Sequence, residues 1–337
     1  MYLIFDVGGT FVKYAIMDRK GVIKDKDKTP TPYRFEVDKE TNEKITPNTI
    51  APEVGVETFL NLIDRIYKDY KKKYQIEGIA ISLPGQVNVE HGIVYGGGAL
   101  PYLDRAPLGN LISNRCDNVP VALENDGKCA ALAEVWIGNA SDCKDACVLV
   151  FGTGVGGGIV INRKVHHGVG MIAGELSFIY DGIKRSDLAE IKPLNAPRDK
   201  DFKIPTVLWT QRSSVMALCF QVAEAKNMNF NDLNGQVIYE MAENGDEVVQ
   251  DILEEMYFNI ATHCCNLYIT LAPEIILIGG GISAQPKFFE GIVRYVTKLR
   301  QLSPVYDRMK IDLCKFENDS NLIGALFNFL QKYNLEK

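Results

Sequence analysis

A chain of 337 residues exceeds the roughly 250 to 300 at which one hydrophobic core stops growing, so two domains with a cleft between them are expected. A net charge of −6, with 46% hydrophobic and 24% charged residues, argues against sequence-independent binding of nucleic acid or anionic membranes and favours small-molecule chemistry. No run reaches the roughly 20 apolar residues of a membrane span, and Met1 leads into a strand without a basic-then-apolar signal, so the expected location is the cytoplasm.

In chain order, residues 2–7 and 11–18 alternate and are rich in β-formers, which predicts a hairpin, with "DRKG" at 18–21 as the next turn. From 24 to 52 the composition turns polar and Pro-rich, and within it "YRFEVDKETNEKI" at 33–45 is open to two readings, a short hairpin around 38–43 or a flexible excursion. Val56, Phe59, Leu60, Ile63, Ile66, Tyr67 and Tyr70 recur at helical spacing and predict a helix over 54–74. Strands are expected at 78–85, stopped by Pro84-Gly85, and at 119–126, followed by a helix over 127–138 closed by Gly138. Residues 146–165, "ACVLVFGTGVGGGIVINRKV", repeat the opening layout of strand, Gly/Thr turn and strand. Helices are expected at 206–226, 246–272, 286–300 and 321–334, and a buried strand at 274–283. The pattern is α/β in two similar halves: residues 1–123 with the C-terminal helix 322–337 as the smaller domain, 124–321 as the larger.

Three glycine-rich turns each follow an apolar strand: "DVGGT" at 6–10, "GTGVGGG" at 152–158 and "GGGIS" at 279–283. Glycine lets backbone N–H groups approach phosphate oxygens, although any one such turn alone equally makes a tight hairpin. None is a P-loop and none has the full G-x-G-x-x-G context. The set resembles the actin, hexokinase and heat-shock-chaperone ATPase superfamily. That resemblance implies two actin-like (ribonuclease H-like) α/β domains with an interdomain cleft, the three turns serving as first phosphate, second phosphate and adenosine motifs. The ATP-binding residues it implies are Asp6, Gly8, Gly9, Thr10, Lys13, Gly152, Thr153, Gly154, Gly156, Gly157, Gly280, Gly281 and Ile282.

"FDVGGTFVK", "SLPGQVN", "VALENDGKCAALAE", "FGTGVGGGIV", "AGELSF" and "LIGGGIS" follow, over essentially the whole chain, the motif order of the ROK family of sugar kinases and repressors, which the chain resembles. Phosphoryl transfer needs a proton acceptor, a cation and positioning donors. The resemblance places the catalytic base at Asp126, whose other reading is the N-cap of the helix from Gly127. It implies sugar contacts at Gly85, Gly97, Gly98, Asn125, Asp126 and Glu175. Asp6, acceptor-only when ionised, suits a Mg²⁺ held through water, or an Asx-type turn. Lys13 reaches a phosphate or is simply an exposed strand lysine, and Thr10 and Thr153 add hydroxyl donors.

The chain departs from the family pattern Gly-Glu-x-Gly-His at Ser177 and Phe178. Its eight cysteines, at 116, 129, 143, 147, 219, 264, 265 and 314, lack CxxC spacing, and none falls between 147 and 219, where the family's zinc module would need them. They read as reduced, mostly buried thiols, and no structural zinc is expected. Adjacent His166 and His167 are expected to face solvent. In this wording the chain resembles zinc-less β-glucoside kinases, which share "GELSF" and a stretch like Gly97-Gly98-Ala99. Phe178 then either stacks on a sugar ring or fills core. The implied activity is transfer of the ATP γ-phosphoryl to the 6-hydroxyl of glucose or of the non-reducing glucose of a cellobiose-type β-glucoside. Alternatives are fructose, N-acetylglucosamine or N-acetylmannosamine as acceptor, or a regulator without its DNA-binding domain. Sugar and ATP with Mg²⁺ are the expected ligands, a homodimer through the second domain the expected assembly, and neither nucleic acid nor membrane an expected partner.

Overall fold

The computed structural model describes residues 1–32, 55–96, 98–186 and 207–336. By its own packing the chain forms two compact units, one of residues 1–146, 158–174 and 315–337, the other of 147–157 and 175–314.

The chain opens with β1 (Tyr2–Val7), all six residues buried, and turns back through β2 (Phe11–Met17). A third strand, β3 (Ile23–Pro30), pairs antiparallel with β2. The start of the polar stretch is therefore a strand. Its lysines and aspartates suit the sheet edge it forms, because charge discourages pairing with another chain. The hairpin considered at 38–43 lies outside the described residues. There follow α1 (Val56–Lys71), β4 (Gly78–Leu83), the small hairpin β5 (Gln86–Asn88) and β6 (Ile93–Tyr95), α2 (Leu108–Arg115), β7 (Val121–Asn125) and α3 (Asp126–Ile137). The sheet order is β3-β2-β1-β4-β7, with β1, β4 and β7 parallel.

The layout recurs with β8 (Ala146–Phe151), β9 (Val155–Ile161) and β10 (Lys164–Val165). After it come α4 (Thr210–Ser213), α5 (Val215–Lys226), α6 (Gly235–Glu243), α7 (Glu247–Leu271), β11 (Ile275–Gly279), α8 (Pro286–Arg300), β12 (Ile311–Leu313) and α9 (Ser320–Lys332). The order of this sheet, β10-β9-β8-β11-β12, matches that of the first. The helix expected over 206–226 is two helices, because Ser214 is extended (φ −80°, ψ 161°) and caps α5 by accepting from Ala217 N–H. The strand expected over 274–283 ends at Gly279, where Gly280 turns the chain at φ +96°.

In the first unit, alternate residues of β1 point to opposite faces, as the strand period requires. Leu3, Phe5 and Val7 pack with α1 and α2, while Tyr2 and Ile4 pack with Cys129 and Ala133 of α3 and Leu322 and Phe329 of α9. Gly324 permits the close approach of α9 to α3, since a Cβ there would lie 1.7 Å from the Cys129 carbonyl oxygen. Packing thus keeps α3 with the first sheet.

Candidate functional site

The parallel register aligns the C-terminal ends of β1, β4 and β7, so that Asp6 pairs with Ser82, Ser82 with Glu124 and Leu83 with Asn125. Ligands of open α/β sheets gather at this edge. Asp6 is 7% exposed. Its Oδ1 accepts from Asn321 Nδ2 (3.0 Å) and Ser82 Oγ (3.4 Å), and its Oδ2 faces Lys13 Nζ at 3.3 Å. Lys13 also donates to the Asn318 carbonyl, so in this state its amine is held at the carboxylate. In the turn, Gly8 N–H is spent on the Phe11 carbonyl (3.0 Å) and Gly8 O accepts from Thr31 Oγ1, while Thr10 is exposed. Gly9 sits against Ala99, and Gly98, at φ +54°, against Pro84 and Gly85. Gly97 lies outside the described residues.

At the β7–α3 junction Asn125, not Asp126, is the N-cap. Asn125 Oδ1 accepts from Lys128 N–H (3.2 Å), and its Nδ2 donates to the Gly85 carbonyl (3.0 Å). Asp126 is the first helical residue, half-buried, with Oδ1 accepting from Gly127 N–H. One face of the first unit therefore gathers Asp6, Gly8, Gly9, Gly85, Gly98, Asn125 and Asp126. Cys129 lies beneath them fully buried, and burial, with Glu124, Asp126 and Asp6 adding, pushes its thiol well above the ordinary value. All eight cysteines are free thiols.

In the second unit a cavity of about 570 Å³ brings together Gly152 and Thr153 of one turn and Gly281 and Ile282 of another, with Val215, Phe230 and Gln285. Gly280 is obligatory, because a Cβ there would lie 2.1 Å from the Phe151 carbonyl oxygen. Gly157 is equally closed, 2.0 Å from the Val148 carbonyl oxygen. Around Gly152, Gly154, Gly156 and Gly281 a Cβ would meet nothing nearer than 3.3 Å, which leaves backbone accessible to a ligand. The carbonyl of Gly152 accepts from Val215 N–H, so the α5 N-terminus and its partial positive charge stand at this turn.

Residues 2–182 and 210–332 match the ROK family. The chain belongs to the ROK family. A β-glucoside kinase of Listeria monocytogenes is 29% identical over 259 residues, 77% of this chain and 81% of that protein. A glucokinase of Halalkalibacterium halodurans is 26% identical over 99% of this chain and 96% of its own length. Among solved structures, a ROK family protein from Streptococcus pneumoniae in complex with sucrose superposes with a TM-score of 0.77 at 28% identity, covering 98% of this chain and 99% of that one. The fold is the actin-like α/β arrangement of ROK sugar kinase structures.

At this ROK chain's departures, one of the two readings of Phe178 falls away and the expectation for His167 is corrected. Phe178 is 57% exposed and is not core filler. His167, unlike exposed His166, is half-buried with Nε2 2.8 Å from Glu124 Oε2. Beyond "GELSF", Asp181 accepts from Asn259 Nδ2 (2.7 Å), faces Arg212 Nε at 3.3 Å and lies 3.6 Å from His263 Nε2. His263 stacks on Trp209, ring centroids 4.3 Å apart. Sequence reasoning missed Ser82, Asn321, Glu124, His167 and Thr210. Of these Ser82 and Glu124 carried a signal, as polar interruptions of the predicted strands in "GIAISLPG" and "VPVALEND". Among the described residues no group of three or more His, Cys, Asp or Glu is placed to hold a metal.

Proposed function

We propose that this ROK chain is an ATP-dependent sugar kinase that passes the γ-phosphoryl to the 6-hydroxyl of glucose or of the non-reducing glucose of a cellobiose-type β-glucoside. The observation that carries the reading is the division of labour at the β7–α3 junction. Asn125 takes the cap and ties itself to Gly85, so Asp126 is not needed for that structural task and its carboxylate can serve as base. Asn125 also fixes where Asp126 stands, which is how a base is preorganised.

The cavity lined by Gly152, Thr153, Gly281 and Ile282 suits a nucleotide, with apolar Val215 and Phe230 for a base and glycine turns for phosphates. Lys13, Thr10, Gly8 and Gly9 belong to the first phosphate motif in this reading, Gly8 by proximity, since its N–H is already used. Asp6 fits a hydrated Mg²⁺. It is a hard oxygen donor kept in place by Ser82 and Asn321, and Mg²⁺ takes one or two carboxylates, water and substrate phosphates rather than an all-protein cage. Such an ion neutralises phosphate charge when bound. Glu175 and exposed Phe178 are assigned to the sugar, Phe178 as a stacking face. Fructose or an N-acetylhexosamine is the alternative acceptor, and we propose a cytoplasmic homodimer assembled through the second unit.

The test is an ATP-coupled assay over glucose, cellobiose, gentiobiose, fructose, N-acetylglucosamine and N-acetylmannosamine. Turnover is expected with glucose or a β-glucoside. ADP release with none of the six would sink the kinase reading.

A further inference from the structure

Val155 opens β9 directly after the second glycine turn. Its N–H donates to Thr210 Oγ1 (3.1 Å), and its carbonyl accepts from Ser177 Oγ (2.7 Å). The same two hydroxyls flank Gly154, where a Cβ would lie 3.3 Å from Thr210 Oγ1 and 3.5 Å from Ser177 Oγ. One residue of the turn is thus gripped on both backbone groups by side chains from two other segments.

Each segment is itself anchored. Ser177 sits in the single 3-10 turn Leu176–Phe178, which Glu175 initiates, its carbonyl accepting from Phe178 N–H (3.2 Å), and Leu176 is buried. Thr210 opens α4, and the residue before it, Trp209, donates its N–H to the Ile179 carbonyl (2.8 Å). At the other end of the glycine turn, Gly152 N–H donates to the Gly154 carbonyl (2.9 Å). Residues 152–155, 175–179 and 209–210 therefore form one cross-linked body. A glycine at 177, as in the usual family pattern, has no hydroxyl to make this link.

We infer that Ser177 and Thr210 are positioning residues that couple occupancy beside Glu175 to the shape of the 152–155 turn, so that sugar binding tightens nucleotide binding. The inference rests on the reading of Glu175 as a sugar contact and of 152–155 as a phosphate turn. Neither hydroxyl touches the reacting atoms. A sugar that orders Glu175 orders the Leu176–Phe178 turn with it, and through Ser177 Oγ it narrows the orientations open to the Val155 peptide. A turn already ordered loses less freedom when it closes on phosphates, and that saving is positive cooperativity.

The experiment measures AMPPNP affinity by calorimetry, with and without saturating glucose or cellobiose, on the full chain and on Ser177→Ala, Thr210→Val and Thr210→Ser. In the unaltered protein either sugar is expected to tighten AMPPNP. In Ser177→Ala and Thr210→Val the AMPPNP dissociation constant is expected to rise roughly five- to tenfold, as loss of one hydrogen bond implies, and the sugar effect to disappear. Thr210→Ser keeps the accepting oxygen and should retain both. If a truncated variant fails to fold, Ser177→Gly, the family residue, takes its place. AMPPNP affinity and sugar dependence within twofold of the unaltered protein in both truncations would overturn the clasp, as would absence of any sugar effect in the unaltered protein. Loss of sugar turnover alone, with the AMPPNP pattern intact, would count against the kinase reading and leave the clasp standing.

Discussion

His167 Nε2 lies 2.8 Å from Oε2 of Glu124, a carboxylate that is 0% exposed and whose Oε1 already accepts from the Asn125 N–H. Lys128, four residues on and 1% exposed, donates to the Met171 carbonyl (3.1 Å). Two buried side chains, Glu124 and Lys128, thus fasten residues 167–171 to the junction that carries Asn125 and Asp126.

Removing one partner of a buried pair is costlier than the pair is valuable, because the other charge is left without compensation. His167→Ala is therefore expected to destabilise the protein by about 3 kcal/mol, while His167→Gln, which keeps a donor, costs less than half as much. Urea unfolding checks both. Equal losses for the two variants, or a loss below about 1 kcal/mol for the alanine, would show that Glu124 is solvated in some other way.

Gly280 and Gly281 are neighbours with opposite tolerances. At Gly280 (φ +96°) a Cβ would lie 2.1 Å from the Phe151 carbonyl oxygen, whereas at Gly281 nothing comes within 4 Å. Gly280→Ala should cost about 3 kcal/mol or more through strain and overlap. Gly281→Ala should leave stability within about 0.5 kcal/mol but weaken AMPPNP, because the new methyl enters the cavity that Gly281 lines. Thermal unfolding and calorimetric titration separate the two effects. A Gly281→Ala protein that binds AMPPNP normally would remove Gly281 from the nucleotide site.

His263 gives the second unit a pH dependence of definite sign. It is 7% exposed, and burial pushes its imidazole below the ordinary 6.5, with Asp181 pulling upward and Arg212 downward. Because the folded value is the lower one, the unfolded chain takes up the proton first. The stabilising contribution is complete above pH 6.5 and is lost as pH falls toward the folded value. Between about pH 7.5 and about pH 5.5 the urea midpoint should fall, and in His263→Gln it should fall less. An identical acid loss in the variant would place the titration elsewhere.

The glycine turns were legible because a Gly-rich turn between two apolar strands is a local signal, as was the α1 stripe from Phe59 to Tyr67. β3 was not, because its half-buried positions include Asp25 and Thr29, where a strand pattern would show apolar residues. The break at Ser214 hid inside a continuous helical pattern, since a serine reads as a cap only once the backbone is seen to be extended there. The site contacts that were missed join residues far apart in sequence: Glu124 to His167 over 43 positions, Val155 to Thr210 over 55 and Asp6 to Asn321 over 315. No periodicity records such pairings, which only tertiary packing selects. Phe178 shows the converse. Its identity was plain and its role open, and its 57% exposure removes the core reading.

Asp126 carries the sharpest prediction because the structure separates its two possible duties. Were it the cap of α3, replacement would cost stability, but Asn125 holds that place and Asp126 is the first residue inside the helix. Asp126→Asn keeps the shape of the side chain and removes its proton affinity. The negative charge lost near a helix N-terminus is expected to cost about 0.5 kcal/mol. Loss of a general base costs roughly 10²- to 10⁴-fold in rate. The variant is accordingly expected to fold, to bind glucose within about threefold of the unaltered protein and to lose kcat at least a hundredfold. Asn125→Ala should show the reverse emphasis, with about 1 kcal/mol of stability lost with the cap and a smaller drop in kcat, since the base remains but is less well held. Turnover retained in Asp126→Asn, measured in the ATP-coupled assay beside sugar binding by calorimetry, would remove Asp126 from the chemistry and leave it only a helix-terminus charge.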